Sequence, residues 1–107
     1  MLITFEGADG VGKSTQIRLF ASYLEQQQHN LILTREPGGT DNAEAIREFL
    51  LAPKKTQLQL TTELLLIYAA RAEHWHHTIQ PALKAGQIVV CDRFIDSTIA
   101  YQAMSLD

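Results

Sequence analysis

Three short runs of apolar, β-favouring residues are separated along the chain by longer segments of mixed polarity. The runs are Leu2–Phe5, Leu31–Thr34 and Ile88–Cys91. Apolar runs of this length, bounded by glycine or polar residues, are typical of buried strands. The pattern therefore predicts three buried strands, the first of which ends at Gly7.

The segment after the first strand carries apolar residues at helical spacing. Ile17, Phe20, Ala21 and Leu24 fall on one face, which predicts a helix over residues 13–28. Other helices are predicted over residues 41–51, 62–74 and 78–85, and from Ser97 onward.

Residues that start or end helices support these assignments. Asp41 is predicted to cap the helix that begins there, with Glu44 three residues on as in a capping box. Thr78 is predicted to cap a short helix with Pro81 in its first turn, and Gly86 to end that helix.

Strands that alternate with helices predict an α/β fold with a parallel sheet and helical crossovers, formed by one domain over residues 1–107. Ligands of such sheets bind at the carboxyl ends of the strands. Polar residues follow all three predicted strands, at Glu6–Ser14, Arg35–Glu36 and Asp92–Arg93. The sequence therefore predicts a binding site at this edge, with Asp92–Asp96 in a loop.

Composition and charge narrow the class of protein. Hydrophobic residues make up 46% and charged residues 20% of the chain, as in an ordinary globular protein. The net charge of −3 argues against a general nucleic-acid surface. No apolar run is long enough to span a membrane, and the N-terminus lacks the pattern of a signal peptide. With a single cysteine, Cys91, predicted to be buried in a strand, a cytoplasmic location is expected.

Residues 5–16 read FEGADGVGKSTQ and contain the spacing of a phosphate-binding loop, from Gly7 through Gly12 to Lys13 and Ser14. Glycines let successive backbone N–H groups point at phosphate oxygens, and the following helix adds its positive N-terminal end. Lys13 is predicted to reach the β- and γ-phosphates, and the Ser14 hydroxyl to ligate Mg²⁺. The motif alone leaves hydrolysis, switching and phosphoryl transfer open.

Acidic and basic residues near the loop extend this chemistry. Asp9 is either a solvated loop acid or a carboxylate near Mg²⁺ or a sugar hydroxyl. Asp92 is placed to serve Mg²⁺ or its waters, and Arg93 to bind phosphate bidentately.

Four segments, taken in order, resemble bacterial thymidylate kinases: FEGADGVGKSTQ, TREPGGT, YAAR and DRF-x-DS-x-x-AYQ. The resemblance covers essentially the whole chain. It implies a P-loop NTPase-type parallel sheet with flanking helices, the nucleoside monophosphate kinase fold, incomplete at the C-terminus. It also implies transfer of the γ-phosphoryl group of ATP to dTMP with Mg²⁺, and a homodimer formed through helices, to which the 62–74 helix could contribute.

The same resemblance implies site residues. Catalysis is expected to depend on Lys13, Asp9 and Arg93, and the metal on Ser14, Asp9 and Asp92. The residues expected to bind ATP are Gly7, Ala8, Asp9, Gly10, Val11, Gly12, Lys13, Ser14 and Thr15. Those expected to bind dTMP are Asp9, Glu36, Pro37, Ile67, Arg71, Arg93, Thr98, Tyr101 and Gln102.

Two features depart from the family pattern. Ile67 occupies the position where the family usually has a phenylalanine stacked on thymine. Family members are also longer, and the mobile lid is expected to be absent from these 107 residues. A catalytically inactive nucleotide-binding or dimerisation fragment, and another P-loop small-molecule kinase, therefore remain as alternatives.

Three histidines near Trp75 raise the question of a metal site. His74, His76 and His77 have no cysteine or regularly spaced carboxylate to complete a zinc set. They are predicted to form a polar helix end.

Overall fold

The computed structural model describes residues 1–6 and 12–93, with only the backbone of Arg93. All three predicted strands are present, and four α-helices lie between them in the described ranges. The elements are β1 (Leu2–Phe5), α1 (Lys13–Gln26), β2 (Leu31–Glu36), α2 (Asp41–Leu51), α3 (Leu60–His74), a π-helical turn (Trp75–Ile79), α4 (Gln80–Lys84) and β3 (Ile88–Arg93).

The strands form a parallel sheet in the order β1-β3-β2. Leu2 lies opposite Val89 in β3, and Leu31 opposite Ile88, so the three strands run side by side in the same direction. The predicted α/β fold with helical crossovers is confirmed, and β3 occupies the central position.

Helices cover both faces of the sheet. Val89 and Val90 are fully buried on β3, and successive strand residues point to opposite faces. Val90 packs with Ile17 and Leu24 of α1, while Val89 packs with Ile79 in the π-helical turn. The predicted buried face of α1 is confirmed, and so is the burial of Cys91 in a strand.

Two strands are longer than predicted. Arg35 pairs with Asp92, and Glu36 with Arg93, inside the β2–β3 ladder. The prediction that Asp92 and Arg93 lie in a loop was therefore wrong. Backbone pairing continues past the apolar residues because it does not depend on side-chain polarity, and salt bridges compensate the charges of Glu36 and Asp92.

Helix α1 ends two residues earlier than predicted, because Gln28 adopts a left-handed conformation with φ 64°. The backbone N–H of His29 donates to the Leu24 carbonyl over 3.1 Å, which completes a Schellman motif. Gly86, with φ 80°, ends α4 in the same way, as predicted.

The predicted N-terminal caps were wrong at two helices. Thr40, not Asp41, caps α2: its hydroxyl accepts a hydrogen bond of 3.0 Å from the Ala43 N–H. Thr78 caps nothing, because α3 continues through the π-helical turn into α4. Its hydroxyl instead donates to the Gly39 carbonyl over 2.7 Å.

The predicted helix α3 starts at Leu60, two residues before the expected start, and Pro81 lies in the first turn of α4 as expected. Within the described ranges, no helix has both the length and the apolar character needed to cross a membrane. The helix predicted from Ser97 onward lies outside the described residues.

Candidate active site at the carboxyl ends of the strands

Lys13 opens α1 directly after the predicted phosphate-binding loop. Gly12 precedes it with φ 78°, a left-handed conformation that favours glycine, and the Gly12 carbonyl accepts from the Gln16 N–H over 3.1 Å. Lys13 is only 5% exposed although it is charged. Since Ser14 and Thr15 follow in the same turn, their backbone N–H groups lie at the positive end of the helix.

Asp92 of the central strand lies against Lys13. The Lys13 Nζ atom is 2.8 Å from Asp92 Oδ1, and Asp92 is paired in the sheet with Phe5 on one side and Arg35 on the other. The carboxylate neutralises the buried ammonium group. This arrangement provides a cation for phosphate oxygens and an oxygen ligand for a metal ion at the same edge of the sheet.

A second ionic cluster lies at the end of β2. The Glu36 carboxylate is 3% exposed and accepts hydrogen bonds through both oxygens, at 2.9 Å from Arg71 Nε and 3.0 Å from His74 Nδ1. Burial alone would raise the pKa of Glu36. The hydrogen bond from His74 and the charge of Arg71 outweigh burial and lower that pKa below its usual range.

The turn that follows β2 is held by three side chains, one of which is itself held by Arg35. The Pro37 carbonyl accepts from Arg47 over 3.2 Å, and the Gly39 carbonyl from Thr78. Glu44 accepts from the Gly39 N–H over 3.0 Å and from the Arg35 guanidinium over 2.8 Å. These contacts fix the backbone beside the ionic cluster.

The charge of Glu44 is stabilised in this position. The hydrogen bond from Arg35 is the main cause, the N–H of Gly39 adds to it, and together they lower the pKa of Glu44 to about 2. Glu44 is thus ionised at neutral pH and anchors the turn to the end of β2.

A family model described as thymidylate kinase matches residues 5–107. The chain belongs to the thymidylate kinase family. Thymidylate kinase from Symbiobacterium thermophilum is 53% identical over 105 residues, which cover 98% of this chain and 49% of that protein. The one from Wolbachia sp. subsp. Brugia malayi is 55% identical over 108 residues, covering 99% and 51%.

A solved structure shares the fold as well. The crystal structure of thymidylate kinase from Ehrlichia chaffeensis matches with a TM-score of 0.82 and 51% identity, covering 95% of this chain and 58% of that one. The chain spans about half the length of the curated relatives it matches.

Several residues that the thymidylate kinase resemblance implicates lie together. Lys13 contacts Asp92, and Glu36 contacts Arg71. The β2–β3 ladder connects the two pairs because Arg35, which lies opposite Asp92, directly precedes Glu36. Pro37 is buried next to this cluster.

Another implicated residue, Ile67, is almost enclosed by the fold. Ile67 is on the same face of α3 as Arg71 but is only 8% exposed, so little of its side chain is available to a thymine ring. The predicted roles of Gly7, Ala8, Asp9, Gly10, Val11, Thr98, Tyr101, Gln102 and the Arg93 side chain fall outside the described part of the chain.

His74 was missed by the sequence analysis. The prediction that it belongs to a polar helix end was wrong, because it is fully buried and its Nε2 atom lies 2.6 Å from the Thr34 hydroxyl. A signal was available: His74 follows Ile67 and Arg71 by seven and three residues, which places all three on one helical face. Across the described ranges, no group of three metal-ligating side chains includes His76 or His77.

Proposed function

We propose that this chain takes part in transfer of the γ-phosphoryl group of ATP to dTMP, which yields ADP and dTDP. The observation that carries the proposal is the position of two ionic clusters on neighbouring strands. Lys13 and Asp92 stand at the end of β3, and Glu36 and Arg71 stand at the end of β2. This arrangement suits phosphoryl transfer, in which a donor and an acceptor must be held side by side with their phosphates in line.

The donor side of the proposed site is built around Lys13. The backbone N–H groups of the loop and the first turn of α1, from Gly7 to Thr15, bind the phosphates of ATP. Lys13 is preorganised because its ammonium group is already held at the sheet edge by Asp92. On nucleotide binding, the phosphate oxygens share this cation, and it offsets negative charge on the group being transferred.

Mg²⁺ fits the oxygen donors at this place. The Ser14 hydroxyl adjoins Lys13 in the chain, and the Asp92 carboxylate contacts Lys13 directly, so hydroxyl and carboxylate oxygens of the kind that Mg²⁺ prefers are both at hand. Ser14 and Asp92 would hold the ion, with Asp9 as a third ligand. When bound, Mg²⁺ neutralises phosphate charge and orients the two groups.

The acceptor side is built around Arg71. Within the described residues, the only hydrogen bond of its guanidinium group uses Nε, which leaves the remaining N–H donors for the thymine base. In this proposal Pro37 lines the base, and Thr98 and Gln102 contribute contacts to it. Tyr101 is proposed to bind the deoxyribose, and Arg93 to bind the dTMP phosphate. Ile67, which is only 8% exposed, offers the base no more than the edge of its side chain.

We further propose that the protein works as a cytoplasmic homodimer. Large apolar side chains are more than half exposed on the packed helices α2 and α3, including Leu51, Leu65 and Tyr68. Apolar side chains that adjoin one another on a surface are typical of interfaces, and Leu65 and Tyr68 are three residues apart on one face of α3. A second copy of α3 is the partner that this surface suits, since the family pairs through helices.

The test is a coupled assay of ADP release with ATP and Mg²⁺, in which dTMP is compared with dUMP, dCMP and no acceptor. We expect release that depends on dTMP. In Lys13→Ala the rate should fall by about 10²-fold or more, since an electrostatic donor at the transferred group is lost.

Lys84→Ala is the matched control. It removes an exposed lysine from the last turn of α4, at the opposite end of β3, and should leave the rate unchanged. No dTMP-dependent release would refute the proposed activity, and equal rates in Lys13→Ala and wild type would refute the role of Lys13.

A further inference from the structure

His74 has no part in the function proposed so far, although it is buried in the centre of the acceptor side. Its side chain is fully excluded from solvent and is held by β2 at two points, Glu36 and Thr34. An apolar side chain would fill the same space without burying polar nitrogen atoms. The hydrogen bonds of the His74 ring nitrogens therefore indicate the role of this residue.

The chemistry of its partners determines which ring nitrogen carries the proton. The Glu36 carboxylate can only accept, so His74 Nδ1 donates to Oε2 over 3.0 Å. In the neutral imidazole, Nε2 must then accept, and the Thr34 hydroxyl donates to it over 2.6 Å. Both ring nitrogens are satisfied with the Nδ1–H tautomer.

This bond restrains the carboxylate that holds Arg71. The two oxygens of Glu36 are divided between partners, Oε1 to Arg71 and Oε2 to His74. The terminal torsion of a glutamate side chain is otherwise broad. With Oε2 held by His74, Oε1 stays directed at Arg71 Nε. The guanidinium group also lies over the Tyr68 ring, with Arg71 Cζ 5.6 Å from the ring centroid.

We propose that His74 is a positioning residue that, through Glu36, orients the Arg71 guanidinium group toward the acceptor nucleotide. The acceptor-only Glu36 carboxylate sets the tautomer that this requires, and the Thr34 hydroxyl satisfies the remaining ring nitrogen, so the hydrogen bonds run from Thr34 through His74 and Glu36 to Arg71. The inference rests on the proposed function for its ligand, whereas the orientation of Arg71 can be tested without one.

The test uses three substitutions that separate the two ring nitrogens. In His74→Asn the amide nitrogen is separated from Cα by the same number of bonds as Nδ1 of histidine, so it can still donate a hydrogen bond to Glu36. In His74→Gln the amide nitrogen is separated from Cα by the same number of bonds as Nε2, so it can bond to Thr34 but not to Glu36. His74→Leu removes both hydrogen bonds while it keeps an apolar volume in the site.

The first measurement is nitrogen NMR of the ligand-free protein. We expect the wild-type His74 ring to carry its proton on Nδ1. We also expect the Arg71 Nε–H to exchange slowly with solvent. The Nε–H signal is assigned to Arg71 because it disappears in Arg71→Lys. Exchange should be about tenfold faster in His74→Leu and His74→Gln, and restored in His74→Asn, because a hydrogen bond to a charged group is worth about that factor. A neutral ring protonated on Nε2 would overturn the proposal, as would unchanged exchange in His74→Leu. A wild-type ring protonated only on Nε2 would overturn the proposal even if no variant folds.

The second measurement is binding of dTMP to the same four proteins by calorimetry. The dissociation constant should rise about tenfold in His74→Leu and His74→Gln and return close to the wild-type value in His74→Asn. Equal affinity in all four would overturn the proposal. Wild-type protein that binds no dTMP would refute the proposed function, and Arg71 exchange would still decide whether His74 positions Arg71.

Discussion

Gly39 and Gly86 have nearly the same backbone conformation in very different surroundings. Their φ angles are 88° and 80°, both in the left-handed region. A Cβ atom at Gly86 would meet nothing within 4 Å, whereas one at Gly39 would meet the His74 ring and would lie 2.6 Å from the Thr34 hydroxyl. Alanine at the two positions therefore separates backbone strain from crowding.

The expected costs follow from these environments. Gly86→Ala should lower the free energy of unfolding by about 1–2 kcal/mol, the usual cost of a left-handed conformation with a Cβ atom. Gly39→Ala carries the same backbone strain and two further costs. Overpacking adds about 1–3 kcal/mol and the disturbed hydrogen bond between Thr34 and His74 adds about 1 kcal/mol, so the total loss is about 3–6 kcal/mol. Neither His74 nor Thr34 can move away easily, because both are held between β2 and α3.

Urea unfolding of the wild type and the two variants measures these values, with the slope of the transition as a check that the same surface unfolds. We expect Gly39→Ala to be less stable than Gly86→Ala by about 2–4 kcal/mol. Equal losses would refute the argument, because they would mean that the contact between Gly39, Thr34 and His74 is not close in solution.

Two further predictions concern the start of α2. The pKa of Glu44 is lowered to about 2 from 4.5, so its ionised form stabilises the fold above about pH 4.5, and this stability is lost as the pH falls toward 2. Since Glu44 is 36% exposed, solvent screening limits the effect to about 1 kcal/mol. Urea unfolding at pH 7 and pH 3 should show that the stability difference between the wild type and Glu44→Gln shrinks at the lower pH; a difference that grows at pH 3 would contradict the assignment. Thr40→Ala should lower the free energy of unfolding by about 1 kcal/mol through loss of the α2 cap, and Thr40→Ser should retain it; equal stability of Thr40→Ala and wild type would show that another group caps the helix.

The sequence predicted the elements with strong local signals. The three apolar runs became the three strands, and the helical spacing of Ile17, Ala21 and Leu24 became the buried face of α1. The motif at Lys13 was found because its spacing is set by the shape of a phosphate group and by chain geometry, both of which are local. The order of strands and helices was enough for a parallel sheet.

The boundaries depended on contacts that a local pattern does not contain. Asp92 belongs to strand β3 because its backbone pairs with Arg35 and its carboxylate forms a salt bridge with Lys13. Thr40 caps α2 in place of Asp41, and Glu44, which would complete a capping box with Asp41, is bonded to Gly39 and Arg35 instead.

The sequence by itself determined the fold class, the phosphate-binding motif and the family, because each depends on residue types at fixed spacing along the chain. Only the tertiary structure decided the role of His74. As a histidine next to a tryptophan and two more histidines, it looked like part of a polar helix end. In the folded protein it is enclosed between α3 and β2, where Glu36 and Thr34 compensate its polar atoms. Such compensation depends on residues about forty positions away in the chain, and only the packing of α3 against β2 brings them together.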